Sequence, residues 1–164
     1  MLGREIRSGA PPSSWAQIQN EANPPSQHML IGHILDRFDA DPTLKAEYYD
    51  SYVSFLGRIY DNFKLNVDWF LSTQQSDELD GNTFRWKGRT PEYCLASGMD
   101  DYPRAPILTD NEAHLDLHCW MIVSTGVLAR VATILGKDED AATYASKNTL
   151  YHELLVENFW DESR

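Results

Sequence analysis

The strongest constraint in this chain is a stretch between Thr109 and Gly136 that is apolar on nearly every side. Leu115, Leu117, Trp120, Met121, Ile122, Val123, Val127, Leu128, Val131 and Ile134 occupy more than any single helical stripe, so a helix here must be buried on several faces by other elements. Thr109-Asp110-Asn111-Glu112 has the form of a capping box, with Thr109 as N-cap and Glu112 at N3, and predicts a helix from there to about Leu135. Gly136 suits its C-terminal cap. Asp138 is placed to cap a further helix reaching about Phe159.

The elements that must surround that helix are also helical in period. Ser13 or Ser14 can cap a short helix through about Ala22, which Asn23-Pro24-Pro25-Ser26 then breaks. From about Gln27 to Phe38, Met29, Leu30, Ile31, Ile34, Leu35 and Phe38 form one broad apolar face, with His28 and His33 on or near it as packed or capping residues. Asp41 as N-cap and Pro42 at the first helical position open a long helix to about Ser72. Along it Tyr48, Tyr52, Phe55, Ile59, Phe63, Val67 and Phe70 recur at three- and four-residue steps, a stripe suited to the core. Gly57 marks a close packing point or a bend. No stretch alternates with period two. The expected fold is therefore all-α, about five helices with one long loop, as a bundle, a repeat or an α/α barrel. Residues 1–12 read as an N-terminal arm, and residues 13–164 as a single domain.

A formal charge of −11 argues against nucleic acid or an anionic membrane surface as partner. Apolar runs fall short of the roughly 18 residues of a membrane span, and the N-terminus lacks a signal-peptide core. Two cysteines, Cys94 and Cys119, make neither a disulfide framework nor a metal site.

From Gln74 to about Leu108 the helical periodicity lapses. A connection of this length in a compact domain is either functional or disordered, and Phe84, Trp86, Tyr93 and Tyr102 are too apolar for disorder. Its centre is Ser97-Gly98-Met99-Asp100-Asp101-Tyr102-Pro103-Arg104, where glycine and proline force turns. If one of the adjacent carboxylates faces a cleft, the other faces away. Asp101 then supplies the negative charge that favours an acid's protonated form, and Arg104 acts oppositely unless it serves substrate hydroxyls. Trp86, Arg89 and Tyr102 suit stacking on, or hydrogen bonding to, a sugar. Glycoside hydrolysis needs a second carboxylate, roughly 6.5–9.5 Å away for inversion and about 5 Å for retention, and spacing does not identify it.

Other chemistries find less support. His114 and His118 lie one helical turn apart with Asp116 between them, but no glutamate takes the metalloprotease position and no third ligand is evident. Ser97 lacks the flanking glycines of a nucleophile elbow, and no Gly-rich phosphate loop is present. No metal or cofactor is implied.

At these residues the chain resembles glycoside hydrolase family 63. The resemblance is carried by Phe84-Arg85-Trp86-Lys87-Gly88-Arg89, by Leu95-Ala96-Ser97-Gly98-Met99-Asp100-Asp101-Tyr102-Pro103-Arg104-Ala105, and by His114-Leu115-Asp116-Leu117-His118-Cys119-Trp120. Ala22-Asn23-Pro24-Pro25 adds to it upstream, so it spans the chain from about residue 15 onward. It implies part of an (α/α)6 toroid. It also implies inverting removal of the terminal α-1,2-linked glucose from the glucosylated high-mannose N-glycan precursor, an oligosaccharide substrate met in the lumen of the endoplasmic reticulum. The family's general acid maps to Asp100, and a related Ser-Gly-x-Asp pattern with a following arginine in clan members makes Arg104 a substrate contact. Trp86, Asp101, Tyr102 and Trp120 carry over as pocket neighbours. The family's general base is a late glutamate with no match here, and its N-terminal β-sandwich and membrane anchor have no counterpart. The chain is thus expected to be the early part of a catalytic domain, inactive alone. The rival expectations are another family 63 or clan-related glycosidase acting on a smaller sugar, and a helical interaction module without chemistry.

Overall fold

In the computed structural model, residues 21, 23–102, 104, 107–161 and 163 are described. The expected arm and the helix ending near Ala22 lie outside them, as do Pro103 and Ala105 of the central motif. Among the described residues the fold is all-α, with four α-helices and a single isolated bridge between Gln75 and Phe84. This is the helical arrangement that part of an α/α toroid requires.

Helix α1 (Ser26–Ala40) and helix α2 (Pro42–Thr73) form an antiparallel hairpin about Asp41. Asp41 caps as its sequence predicts, its carboxylate accepting from the Thr43 and Leu44 amides at 3.0 Å each. Phe38 packs edge-on to Tyr49 at one end, and Gln27 reaches Asn66 at the other. Helix α3 (Leu115–Ile134) and helix α4 (Asp138–Asn158) form a second antiparallel hairpin, turning at Gly136 with φ +67°. His118 meets Tyr151 and Ile122 meets Asn148 along it.

The two hairpins pack so that α1 runs beside α3 in the same direction. His28, Gly32 and Asp36 of α1 meet Ser124, Val127 and Arg130 of α3 in order. Tyr60 and Asp68 of α2 likewise meet Asp140 and Tyr144 of α4. The core between them holds Leu35, Leu56, Val67, Leu117, Met121, Leu128 and Val131, all buried. His28 is packed, as its apolar surroundings suggested, with Nδ1 2.5 Å from the Ser124 hydroxyl.

Three local expectations fail. Helix α3 begins at Leu115, not beside Thr109, because Glu112 is drawn elsewhere: one oxygen does accept from the Thr109 amide at 3.0 Å, but both are also bound by Arg89. The box closes a turn and nucleates no helix. Asp138 is the first residue of α4 rather than its cap, and with Glu139 and Asp140 it favours the helix dipole from within the first turn. Finally, α3 is long and apolar enough to cross a membrane by length and composition. Its contacts with α1, α2 and α4 make it a core helix.

Candidate active site

The connection from Gln74 to His114 folds against the start of α3. Its first strut is the Gln75–Phe84 bridge, where the Arg85 amide donates to Gln74 and the Ser76 amide to Thr83. This pairing directs Phe84 and Trp86 inward, onto Tyr151 and Phe70 respectively. Trp86 is only 1% exposed, which corrects the expectation of a sugar-stacking face: its ring packs edge-on against Phe70. Its backbone amide donates to His114 Nδ1 at 3.0 Å, and its indole N–H to Asp116 Oδ2 at 2.8 Å.

The Ser97–Arg104 loop is closed on itself. Ser97 Oγ donates to the Cys94 carbonyl at 2.8 Å and accepts from the Met99 amide at 3.0 Å. The Cys94 amide returns to the Asp100 carbonyl at 2.9 Å. Gly98 takes a left-handed φ of +73°, and a Cβ there would meet Pro24 at 3.6 Å. Pro24 therefore abuts the acidic turn. Backbone pinning leaves Asp100 and Asp101 side chains exposed at the crest of the turn.

Tyr102 is 60% exposed, and the Arg104 guanidinium lies 5.4 Å from its ring centre. Arg104 itself is turned inward. It adopts φ +71°, donates to the Tyr102 carbonyl at 3.0 Å, and forms an ion pair with Asp116 in which the side chains are 9% and 18% exposed. The expected substrate contact is thus already committed to Asp116. The outcome is a single chain of contacts: the acidic turn, Arg104, Asp116 on the first turn of α3, then the Trp86 indole. Trp120 sits one turn beyond Asp116, half-buried against the core.

A second buried network stands beside it. Arg89 grips Glu112 with two nitrogens and donates to the carbonyls of Thr90 and Ile107. His114 Nδ1 accepts from an amide, so the ring is neutral with its proton on Nε2, donating to Glu112 at 2.8 Å. Burial disfavours the charged form of Glu112, but the hydrogen bonds from Arg89 and His114 overcome it and hold the pKa at about 2. Burial also lowers the pKa of His114. Glu112 is consequently a fixed anion, unsuited to moving protons at neutral pH. His118 does not join His114: its Nε2 lies 2.8 Å from the Tyr151 carbonyl. Cys94 is buried, Cys119 exposed, and both are free thiols.

Glu112 and Asp116 were missed by motif reading, the first absorbed into a supposed helix cap and the second noticed only between two histidines. Their partners lie 23 and 30 residues upstream, and no local pattern announces such pairs.

Comparison with known proteins gives the context of this arrangement. The model of the glycosyl hydrolase family 63 C-terminal domain matches residues 1–164. The chain is 33% identical to a probable mannosyl-oligosaccharide glucosidase of Schizosaccharomyces pombe, covering 99% of this chain and 24% of that protein. It is 31% identical to a mannosyl-oligosaccharide glucosidase of Arabidopsis thaliana, covering 97% of this chain and 19% of the relative. A protein of the same plant named alpha-glucosidase 2 is 28% identical over 96% of the chain, 21% of its own length. The chain thus spans a quarter or less of the curated relatives it matches.

Proposed function

This chain belongs to glycosyl hydrolase family 63, and from that premise we propose that it carries the general acid of an inverting α-glucosidase. The substrate is the glucosylated high-mannose N-glycan precursor, from which the enzyme removes the terminal α-1,2-linked glucose in the lumen of the endoplasmic reticulum. Two relatives named mannosyl-oligosaccharide glucosidase, from yeast and plant, support the choice of substrate. The observation that carries the reading is the acidic turn, whose backbone is pinned at Cys94 and Arg104 while Asp100 stands clear of it.

In the proposed reaction Asp100 protonates the leaving glycosidic oxygen while a second carboxylate deprotonates the attacking water on the opposite face. Glu112 and Asp116 do not serve as that base, since Arg89 with His114 and Arg104 with Trp86 already occupy them. The base therefore comes from a glutamate outside this stretch. Tyr102, Asp101 and Trp120 border the sugar. Arg104 joins them through the open face of Tyr102, and Trp86 and Arg89 act from behind as supports. An acid catalyst also needs walls that exclude water, and Asp100 is open to solvent among the described residues. Residues 13–164 are accordingly one part of a catalytic domain, and the chain by itself should be inactive. A membrane anchor belongs to the full-length protein.

Glucose release from a triglucosylated oligosaccharide tests this. The full-length protein should release glucose, Asp100→Asn should lower kcat by at least about a thousandfold with folding retained, and the 164-residue chain should release none. Activity surviving in Asp100→Asn would remove the acid assignment. The likeness to alpha-glucosidase 2 favours a second reading, an α-glucosidase of the same family with a smaller substrate. Higher kcat/KM on a glucose disaccharide than on the triglucosylated glycan would select it.

A further inference from the structure

Within the connection between α2 and α3 lies an open cleft of about 180 Å³, enough for one sugar ring. Arg85 and Asp110 form one wall as an ion pair, and Arg89 and Glu112 form another; Trp86 and Leu108 complete it. Two guanidinium groups face two carboxylates, so the cleft is close to electrically neutral. A phosphate would meet the carboxylates and a cation the guanidinium groups, each at a cost. A neutral polyhydroxylated ring meets no such conflict: its hydroxyls accept from guanidinium N–H groups and donate to carboxylate oxygens at once.

The two walls differ in purpose. Arg89–Glu112 is buried and structurally committed, with side chains 3% and 11% exposed. Arg85–Asp110 is less so: Asp110 is 72% and Arg85 19% exposed, and the buried Arg85 Nε has no acceptor among the described residues. A pair with one partner so exposed adds less to stability than the buried one, which leaves Asp110 available for a ligand. Asp100 is not among the walls of the cleft. The cleft is nevertheless tied to the acid, because Trp86 lines it and holds Asp116, which holds Arg104.

We propose that this cleft is a second sugar subsite, in which the Arg85–Asp110 pair binds a neutral hexose unit of the oligosaccharide other than the one being cleaved. The identification of that unit as part of a substrate rests on the proposed α-glucosidase reading; the affinity of the cleft for a hexose does not. Binding energy gathered there orients the scissile bond at Asp100, so its loss should fall on extended substrates more than on short ones.

The test compares two substrates in the full-length protein, a triglucosylated oligosaccharide and an aryl α-glucoside. Arg85→Ala and, separately, Asp110→Ala should reduce kcat/KM for the oligosaccharide about tenfold more than for the aryl glucoside, mainly through KM. Equal losses on both substrates, or none, overturn the proposal. Asp110→Ala removes an exposed side chain, so it keeps the test valid if Arg85→Ala misfolds. A second arm needs no turnover: titration of a glucose trisaccharide into the Asp100→Asn protein, with and without Arg85→Ala. A Kd about tenfold weaker in the double variant supports the subsite, and an unchanged Kd overturns it. Preferential binding of inorganic phosphate at the cleft overturns it too. If neither substrate is hydrolysed by the wild type, the α-glucosidase reading fails, while the titration still decides the cleft.

Discussion

Replacing Asp116 by alanine should destabilise the fold, because the carboxylate is shared by two partners and largely buried. Its Oδ2 accepts from the Trp86 indole at 2.8 Å and from Arg104. An exposed ion pair contributes under about 1 kcal/mol, whereas stranding one partner of a buried pair costs about 3–5 kcal/mol. With Arg104 9% and Asp116 18% exposed, the site lies towards the buried limit but keeps some solvent screening. A loss of about 3 kcal/mol follows, divided between an unpaired guanidinium and an indole N–H left without its acceptor. Asp116→Asn keeps an oxygen for the indole and loses the charge, so about half that loss is expected. Urea unfolding followed by tryptophan fluorescence and circular dichroism would measure both, and a cycle with Arg104→Ala should show coupling of about 1–2 kcal/mol. Coupling near zero, or a loss below about 1 kcal/mol for Asp116→Ala, would refute the view that this pair anchors the acidic turn.

Two further changes probe the helix packing and its pH dependence. Gly32→Ala places a Cβ 2.7 Å from Cγ2 of Val127, a β-branched side chain with little freedom to move. The resulting crowding costs about 1–3 kcal/mol against about 1 kcal/mol gained in helix propensity, so the midpoint of urea unfolding should fall, and Val127→Ala in the same chain should restore it. Burial lowers the pKa of His28 from 6.5 to about 4, with the nearby Asn66 side chain acting in the opposite direction. The folded state therefore refuses a proton that the unfolded chain accepts. This contribution is complete above pH 6.5 and disappears as the pH falls towards 4, amounting to about 3 kcal/mol. His28→Leu should flatten that part of the stability profile, and an unchanged slope would assign the titration to His114 or His118, whose pKa values burial also lowers.

The elements that local chemistry controls were legible. Asp41 and Pro42 open α2 where their types require, and Gly136 turns the chain between α3 and α4 where a left-handed residue is needed. Thr109 and Glu112 misled for an equally physical reason. A capping box predicts a helix only if its glutamate has no better partner, and Arg89 and His114 together outbid one backbone amide. Trp86 misled in another way. An aromatic beside a sugar-binding pattern is as apt to fill the core as to face the ligand, and burial is decided by what packs around it.

Sequence alone determined the all-α class, the opening of α2 and the turns at Gly98 and Gly136, because helical period, caps and glycine conformation act over a few residues. Tertiary structure decided that Arg104 faces Asp116, that Glu112 is fixed as an anion, and that Arg85 and Asp110 wall a neutral cleft. Those outcomes rest on charges brought together from positions 12 to 25 residues apart, two of the three pairs largely withdrawn from water. The strength of the Arg89–Glu112 and Arg104–Asp116 pairs depends on that shared burial, which exists only once the loop has closed over the start of α3.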